Sequence, residues 1–327
     1  MNIFPFKFEP YLKSVIWGGE KIARFKGITT DQTAIGESWE VSGVPGHESV
    51  SAEQGIPDDP NLGLTLYQLI EKYGAALVGK EVYEHFGTKF PLLVKIIDSR
   101  QDLSIQVHPN DALAMERHHC AGKTEMWYVI NTEPGARIYA GLKKSITPDD
   151  YERLAHAEVR EGENPFADVI ASYESHAGDV FFLPAGRLHA IGAGNLLAEI
   201  QQTSDITYRV YDYGRRDAEG HTRQLHVDEA KQAIDYRVCP DYRTNYDHNH
   251  PSAELVRCPY FAVRREMVDG RACLDYHCDS FVIVVCLSGE VTVNGIKARR
   301  GETLLVPACA NTLDIQGRAT LLTAVVP

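Results

Sequence analysis

The sequence has no long apolar run: nowhere do about 18 apolar residues follow one another, which excludes a transmembrane helix. Positive charge is scarce, since 33 Lys and Arg stand against 45 Asp and Glu. The resulting net charge of -12 argues against nucleic acid or an anionic membrane as a partner. The N-terminus, residues 1–7, has no secretion-signal pattern, and the seven cysteines contain no C-x-x-C pair. We therefore expect a cytoplasmic protein with reduced thiols.

A chain of 327 residues that is 44% hydrophobic and 24% charged is typical of a globular protein of about two domains. Apolar residues at helical spacing in 65–86 predict a helical insert of two helices, at about 60–86. Another helix is predicted from Pro148 to about Arg160. Most of the remainder is typical of short strands separated by Gly, Pro and Asn, which predicts an all-β barrel or sandwich.

Two segments of the chain repeat one pattern. Residues 178–191 and 301–315 both contain a glycine, an acidic residue, a four-residue apolar strand, Pro-Ala, a turn and a second strand. Each follows a pair of hydrophobic strands, and the later pair contains Asn294-Gly295, a strong hairpin-turn signal. The repeat predicts one β-barrel unit that occurs twice. We expect domains at 1–235 and 236–327.

The two copies differ at positions that carry polar side chains in the first. His189 of the first copy is matched by Thr312 of the second, and Glu125 by Ser280 or Phe281. A functional site is therefore expected in the first copy.

A short strand at 104–109 carries two groups that can bind a metal. Alternation places Ile105 and Val107 on one face, and Ser104, Gln106 and His108 on the other. An amide and an imidazole on one face of a strand are half of a metal site, although a polar, solvent-facing strand gives the same pattern.

Two other strands contain charged residues in apolar surroundings. Lys95 lies inside the apolar strand 90–98, and needs either a buried partner, an anion or a route for its ammonium to the surface. In the strand 36–43, Glu37, Trp39 and Val41 are expected to share one face, with Glu40 on the other. These carboxylates are either functional or ordinary surface groups.

Gln106, His108, Glu125 and His189 together form a candidate metal site. Two imidazoles, a carboxylate and an amide suit a borderline divalent ion, with zinc ahead of iron, manganese or cobalt. The absence of cysteine ligands favours a catalytic site with open positions over a closed structural one.

Several motifs resemble known families. Gly178-x5-Pro184-x-Gly186-x2-His189 is similar to the second cupin motif, although its usual Asn is Ala at position 193. Segments 103–111, 122–128 and 198–212 resemble type I mannose-6-phosphate isomerase in its short bacterial form, and the resemblance spans nearly the whole chain.

The resemblance implies two cupin-type jelly-roll barrels, of which the C-terminal one is metal-free. It implies one zinc ion per chain, with ligands at Gln106, His108, Glu125 and His189. Arg209 falls on the family's catalytic arginine, and we assign catalytic roles also to Lys123 and Glu199. The family lines its pocket at positions that match Ser104, Lys123, Lys95, Glu199 and Asp205. Taken alone, Arg209 is also consistent with a surface arginine paired to Asp205 or Asp212.

The implied reaction moves a proton between C1 and C2 of mannose 6-phosphate and fructose 6-phosphate through a cis-enediol. The base is Glu199, Asp205 or a hydroxide on the zinc. Lys95, Lys123, Arg187 and Arg209 are the positive charges available to hold the phosphosugar. Two rival functions are a metal-dependent cupin oxygenase and a non-catalytic sugar-binding cupin. We expect a monomer or homodimer.

Overall fold

The computed structural model describes residues 3–158, 163–217, 219–310 and 312–327. The strands of this part are β1 (Phe6–Glu9), β2 (Tyr11–Gly19), β3 (Ile35–Ser42), β4 (Val50–Ser51), β5 (Leu92–Ser99), β6 (Ile105–Val107), β7 (Glu125–Thr132), β8 (Arg137–Leu142), β9 (Ile170–Glu174), β10 (Val180–Leu183), β11 (His189–Ile191), β12 (Asn195–Gln202), β13 (Tyr208–Tyr211), β14 (Ser252–Arg257), β15 (Ala262–Asp275), β16 (Val282–Val293), β17 (Ile296–Arg299), β18 (Thr303–Val306) and β19 (Thr312–Val325). The helices are α1 (Lys21–Lys26), α2 (Leu66–Tyr73), α3 (Ala75–Val78), α4 (Lys80–Phe86), α5 (Asp111–His118), α6 (Pro148–Ala155) and α7 (Val227–Ala233).

The strands form three sheets. A six-stranded sheet has the order β10-β7-β12-β5-β2-β3, and a five-stranded sheet has the order β13-β6-β11-β8-β9. The third, here called the C-terminal sheet, has the order β14-β15-β19-β16-β18-β1-β4, with β17 paired to β16. The fold is the predicted one: all-β, with two cupin-type barrels and a small helical insert.

The centre of the six-stranded sheet is buried on both faces. All eight residues of β5 and all eight of β12 are buried, and the two strands pair along their whole length. Such strands normally carry apolar residues on both faces. The charged residues in them, Lys95 and Glu199, therefore lie in the interior and need partners there.

The repeat predicted from the sequence is present as paired strands. β10 pairs with β7, and β18 pairs with β16, in the same antiparallel arrangement. Glu125 lies opposite Leu183 in the first copy, and Val282 lies opposite Val306 in the second. The counterpart of Glu125 is therefore Val282 rather than Ser280 or Phe281, because strand register decides which residues correspond.

The helical insert consists of three short helices, α2 to α4, rather than two. Gly74 separates α2 from α3 at φ 50°, and Gly79 separates α3 from α4 at φ 96°. Both angles are in the region that favours glycine. The other predicted helix, α6, begins at Pro148 and ends at Ala155, whereas Arg160 lies outside the described residues.

A β-bulge in β3 changes which side chains share a face. Trp39 lies opposite Lys95, but Val41 lies opposite Val94, so Glu40 is the extra residue. Since Val94 and Lys95 face opposite sides of β5, Val41 points away from the side of Trp39. The prediction of one face for Glu37, Trp39 and Val41 is therefore wrong for Val41.

Two further observations concern the chain as a whole. β1 pairs with β18, so residues near the N-terminus complete the C-terminal sheet, and the division at residue 235 stays a prediction. Among the helices of the described residues, none is long and apolar enough to cross a membrane.

Candidate metal centre

The five-stranded sheet places three polar side chains on one face. Gln106 of β6 lies between His189 of β11 and Arg209 of β13 in strand register. Residues directly opposite each other in antiparallel strands share a face. Here these three residues are called the histidine row.

The six-stranded sheet carries a second set on one face, here called the carboxylate row. Trp39, Lys95, Glu199 and Trp127 are successive register partners across β3, β5, β12 and β7. The ring of Trp127 lies edge-on to that of His189, with 5.3 Å between their centroids. The two rows therefore face each other across the first barrel.

Where the rows meet, His108, Glu125 and His189 form a buried group, here called the metal cluster. One ligand-capable atom from each lies within 4.8 Å of the others. The Nε2 atom of His108 is 3.5 Å from Oε2 of Glu125, and that of His189 is 3.3 Å from Oε1. All three side chains are at most 1% exposed.

Hydrogen bonds orient both imidazoles towards the cluster. Nδ1 of His108 lies 2.9 Å from the carbonyl oxygen of Ile206, and Nδ1 of His189 lies 2.8 Å from that of Arg187. Because a carbonyl oxygen only accepts, each Nδ1 carries the proton and each Nε2 presents a lone pair. Metal-binding histidines are held in this way.

The electrostatics of the cluster suit a cation. Burial lowers the pKa of His189 to about 4 and, together with the charge of Lys123, lowers that of His108 well below its ordinary value. Both rings are therefore neutral, as metal ligation requires. Burial and the charge of Glu199 raise the pKa of Glu125. Among the described residues, no group donates a hydrogen bond to Oε1 of Glu125, whereas Oε2 lies 2.9 Å from the ammonium of Lys123. A divalent ion would satisfy Oε1 and the two imidazole lone pairs, so the donor set fits a metal.

Gln106 and Ser104 lie at the edge of the cluster. The amide nitrogen of Gln106 is 3.3 Å from Nε2 of His189, and its amide oxygen accepts a hydrogen bond of 3.4 Å from Ser104. The structure therefore brings Gln106 to the three other predicted ligands. Its direct binding of the ion stays a prediction.

Lys123 precedes β7 and reaches the same cluster. Its ammonium is 2.9 Å from Oε2 of Glu125 and 3.2 Å from Nε2 of His108. The residue is 4% exposed. Lys123 is therefore in direct contact with the metal cluster, which agrees with the pocket position that the resemblance implies for it.

Lys95 is paired inside the protein. Its ammonium lies 3.4 Å from a carboxylate oxygen of Glu37 and 3.4 Å from one of Glu199. Burial acts to lower the pKa of Lys95, but the two carboxylates raise it above its ordinary value. For Glu37 burial acts to raise the pKa, yet Lys95 and Lys13 hold it at about 2. All three groups are therefore charged at neutral pH.

Glu199 is fixed from both sides within the carboxylate row. It pairs with Lys95, and Nε1 of Trp127 donates a 2.8 Å hydrogen bond to its Oε2. Burial acts to raise the pKa of Glu199, but Lys123 and Lys95 hold it below its ordinary value. An ionised, buried carboxylate is available at this position.

Arg209 is half-buried and is held through its backbone and its guanidinium. Its N–H donates to Nδ1 of His226 at 3.2 Å, and its Nη1 donates to the carbonyl of Gln224 at 2.8 Å. Its Nε finds no acceptor among the described residues. Asp212 is bound instead by Arg215 and Arg223. Among the described residues, no ion pair joins Arg209 to Asp212.

Sequence reasoning missed Arg215 and Arg223. Together with Arg209 they place three guanidiniums near the single carboxylate of Asp212. This local excess of positive charge stands out against a net charge of -12. The signal available was four arginines, Arg216 included, within the fifteen residues 209–223 of an acidic chain.

Two predicted groups lie elsewhere. The guanidinium of Arg187 donates a 2.6 Å hydrogen bond to the carbonyl of Phe182 and stacks 4.8 Å from the ring of Tyr242. Asp205 is exposed on the segment after β12. Burial, together with the charge of Asp205, raises the pKa of the Cys120 thiol. Within the described residues, neither side chain contacts the metal cluster, and Arg187 reaches it only through its carbonyl oxygen, which holds Nδ1 of His189.

The chain is similar to known proteins over nearly its whole length. The family "Phosphomannose isomerase type I, catalytic domain" matches residues 5–135. Mannose-6-phosphate isomerase ManA of Bacillus subtilis (strain 168) is 32% identical over 327 residues, which cover 98% of each chain.

The fold of the chain is also similar to that of solved structures. The crystal structure of the mannose 6-phosphate isomerase from Bacillus subtilis superposes with a TM-score of 0.84 at 29% identity, covering 98% of this chain and 99% of that one. A mannose 6-phosphate isomerase bound with zinc and yttrium has a TM-score of 0.79 at 16% identity, over 98% of this chain and 99% of its own. At that identity the likeness shows the fold alone.

Proposed function

This chain belongs to the type I mannose-6-phosphate isomerase family, and we propose that it interconverts mannose 6-phosphate and fructose 6-phosphate with one zinc ion per chain. The observation that carries the zinc proposal is the convergence of two imidazole lone pairs on a buried carboxylate whose Oε1 accepts no hydrogen bond within the described residues. His108, Glu125 and His189 would hold the ion, with Gln106 beside them. When bound, zinc would supply a Lewis acid for the substrate oxygens.

Glu199 is the proposed base. Its ionised carboxylate takes the proton from C2 of mannose 6-phosphate and returns it to C1, through a cis-enediol. Burial with Lys95 and Trp127 fixes its position, which proton transfer within one substrate requires. Asp205, the alternative side chain, is exposed and has no such support.

Positive side chains near the metal cluster stabilise the negative charges of the substrate. Lys123 and Arg209 stabilise the negative charge that develops on O1 and O2. Lys95 is already neutralised by Glu37 and Glu199, so it offers little to a phosphate. The phosphate suits Arg215 and Arg223 better, because together they carry one positive charge more than Asp212 neutralises and guanidinium forks match phosphate geometry.

The two rival functions find less support. Similarity to isomerases extends over the full chain, which favours catalysis over sugar binding alone. An oxygenase would have no use for the three arginines around Asp212. A cytoplasmic location and a monomer or homodimer stay predictions.

A coupled assay of mannose 6-phosphate conversion, on chelator-treated enzyme with and without added zinc, tests the proposal. We expect activity to disappear on chelation and to return with zinc. Loss of oxygen from solution would instead indicate the oxygenase. A folded protein that binds zinc but converts no mannose 6-phosphate would contradict the proposed function.

A further inference from the structure

The loop that carries Lys123, residues 122–124, is fixed through every one of its amides. The first N–H donates to Oδ1 of Asp111 at 2.8 Å, the second to the carbonyl of Pro109 at 3.1 Å, and the third to Oε1 of Gln202 at 2.8 Å. Here these three residues are called the lysine loop. Such anchoring leaves the lysine backbone little freedom to move.

Close packing adds to these hydrogen bonds. A Cβ atom on Gly122 would lie 2.6 Å from the backbone N of Asp111 and 2.9 Å from the carbonyl oxygen of Pro109. A Cβ atom makes no hydrogen bond and cannot approach other heavy atoms so closely. The lysine loop therefore lies directly on the start of α5, and a shift of Asp111 would shift the loop.

Asp111 collects donors from three separate parts of the chain. Besides the loop amide, its carboxylate accepts from Nε2 of Gln202 at 2.9 Å and from the hydroxyl of Tyr260 at 2.6 Å. Burial acts to raise the pKa of Asp111, but these three hydrogen bonds lower it below its ordinary value. Hydrogen bonds to an ionised acceptor are roughly twice as strong as neutral ones.

Tyr260 comes from the C-terminal sheet. It lies in the turn between β14 and β15, and it is 149 residues from Asp111 along the chain. A continuous set of hydrogen bonds thus runs from that turn, through Asp111, to the lysine loop. The metal cluster itself contains no residue of β14 to β19.

We propose that Tyr260 and Asp111 are positioning residues of the isomerase, and that the C-terminal sheet acts on the reaction through them by fixing Lys123. The inference rests on the role given to Lys123 in the proposed function. The ammonium of Lys123 contacts both Glu125 and His108 within 3.2 Å. A displacement of about 1 Å at such a site can cost about a hundredfold in rate.

The test is Tyr260→Phe, which removes one hydroxyl and keeps the ring. We expect kcat/KM for mannose 6-phosphate to fall about tenfold, within the loss that a displacement of about 1 Å can cause. Zinc content should stay at one ion per chain. Hydrogen exchange of the amides in the lysine loop should become faster, because their anchor at Asp111 is loosened. Unchanged activity and exchange would overturn the proposal.

Tyr276→Phe is the matched control. The hydroxyl of Tyr276 donates to Oγ1 of Thr323 at 2.5 Å, inside the C-terminal sheet. Its loss should lower stability but leave kcat/KM and the exchange of the lysine loop unchanged. An equal loss of activity in both variants would show a general effect of destabilisation and contradict the proposal.

A double-mutant cycle with Lys123→Gln separates this inference from the proposed function. If Tyr260 acts through Lys123, Tyr260→Phe should cause no further loss in the Lys123→Gln enzyme. An undiminished additional loss would overturn the inference. Full activity of Lys123→Gln alone would overturn both the role of Lys123 and this inference, while zinc-restored activity of the wild-type enzyme would still support the proposed reaction.

Discussion

Glu199 and Lys95 lie directly opposite each other in the register of two fully buried strands, with 3.4 Å between carboxylate oxygen and ammonium nitrogen. A second carboxylate, Glu37, lies 3.4 Å from the same ammonium. Charges buried in a sheet need partners of opposite charge, and here Lys95 is the partner of both carboxylates. The arrangement keeps Glu199 ionised where a base is required.

Replacing this carboxylate tests its role as a base. Glu199→Gln keeps the shape and the hydrogen bond from Trp127 but cannot accept a proton. We expect kcat to fall by about a hundredfold or more, the usual contribution of a general base. Steady-state kinetics of the zinc-loaded variant measure this. Asp205→Asn serves as the comparison, and a larger loss there would make Asp205 the base.

Arg209 should affect turnover rather than metal binding. It lies beside Gln106 in register but is absent from the metal cluster. Arg209→Ala is expected to lower kcat by about a hundredfold, as removal of one charge-stabilising donor does, with zinc content unchanged. Metal analysis beside the coupled assay checks both. Loss of zinc from the variant would make the arginine structural; exposed Arg257→Ala is the control.

The metal cluster predicts which residues bind zinc. His189→Ala removes an imidazole whose ring is oriented by the hydrogen bond from its Nδ1 to the Arg187 carbonyl. The Nε2 lone pair that would bind zinc is lost with it. We expect zinc affinity to fall by at least about tenfold, since even outer partners of ligands contribute that much. Competition with a chelating dye measures it. His118→Ala, at the end of α5, should bind zinc as the wild type does; equal losses in both variants would count against the cluster.

The low pKa of Glu37 predicts how stability depends on pH. The pKa of Glu37 is about 2 in the folded protein and has its ordinary value of 4.5 in the unfolded chain. Stability from this group is therefore complete above about pH 4.5 and is lost as the pH falls towards 2. The difference amounts to about 3 kcal/mol.

Urea unfolding of chelator-treated protein between pH 6 and pH 3 measures this dependence. We expect the free energy of unfolding of the wild type to fall more steeply with decreasing pH than that of Glu37→Gln, which lacks the titrating group. Parallel curves for the two proteins would show that Glu37 is not held in its charged form by Lys95.

Local patterns predicted much of the fold. The Asn294-Gly295 turn has φ values of 46° and 86°, as its hairpin requires. Alternation in the strand at residue 106 placed Gln106 opposite the apolar side chains, as observed. Register was harder: the bulge at Glu40 moved Val41 to another face, because one extra residue reverses the alternation beyond it.

The sequence by itself determined the all-β class, the duplicated unit and the residue types of the site, because strand periodicity, turn chemistry and ligand chemistry are local properties. Only the tertiary structure decided which charges meet. Lys95 pairs with Glu37 and Glu199, three arginines gather near Asp212, and Tyr260 reaches Asp111, since each of these contacts joins strands or turns distant along the chain. Such contacts depend on register and on the packing of one sheet against another, and these emerge only when the whole chain folds.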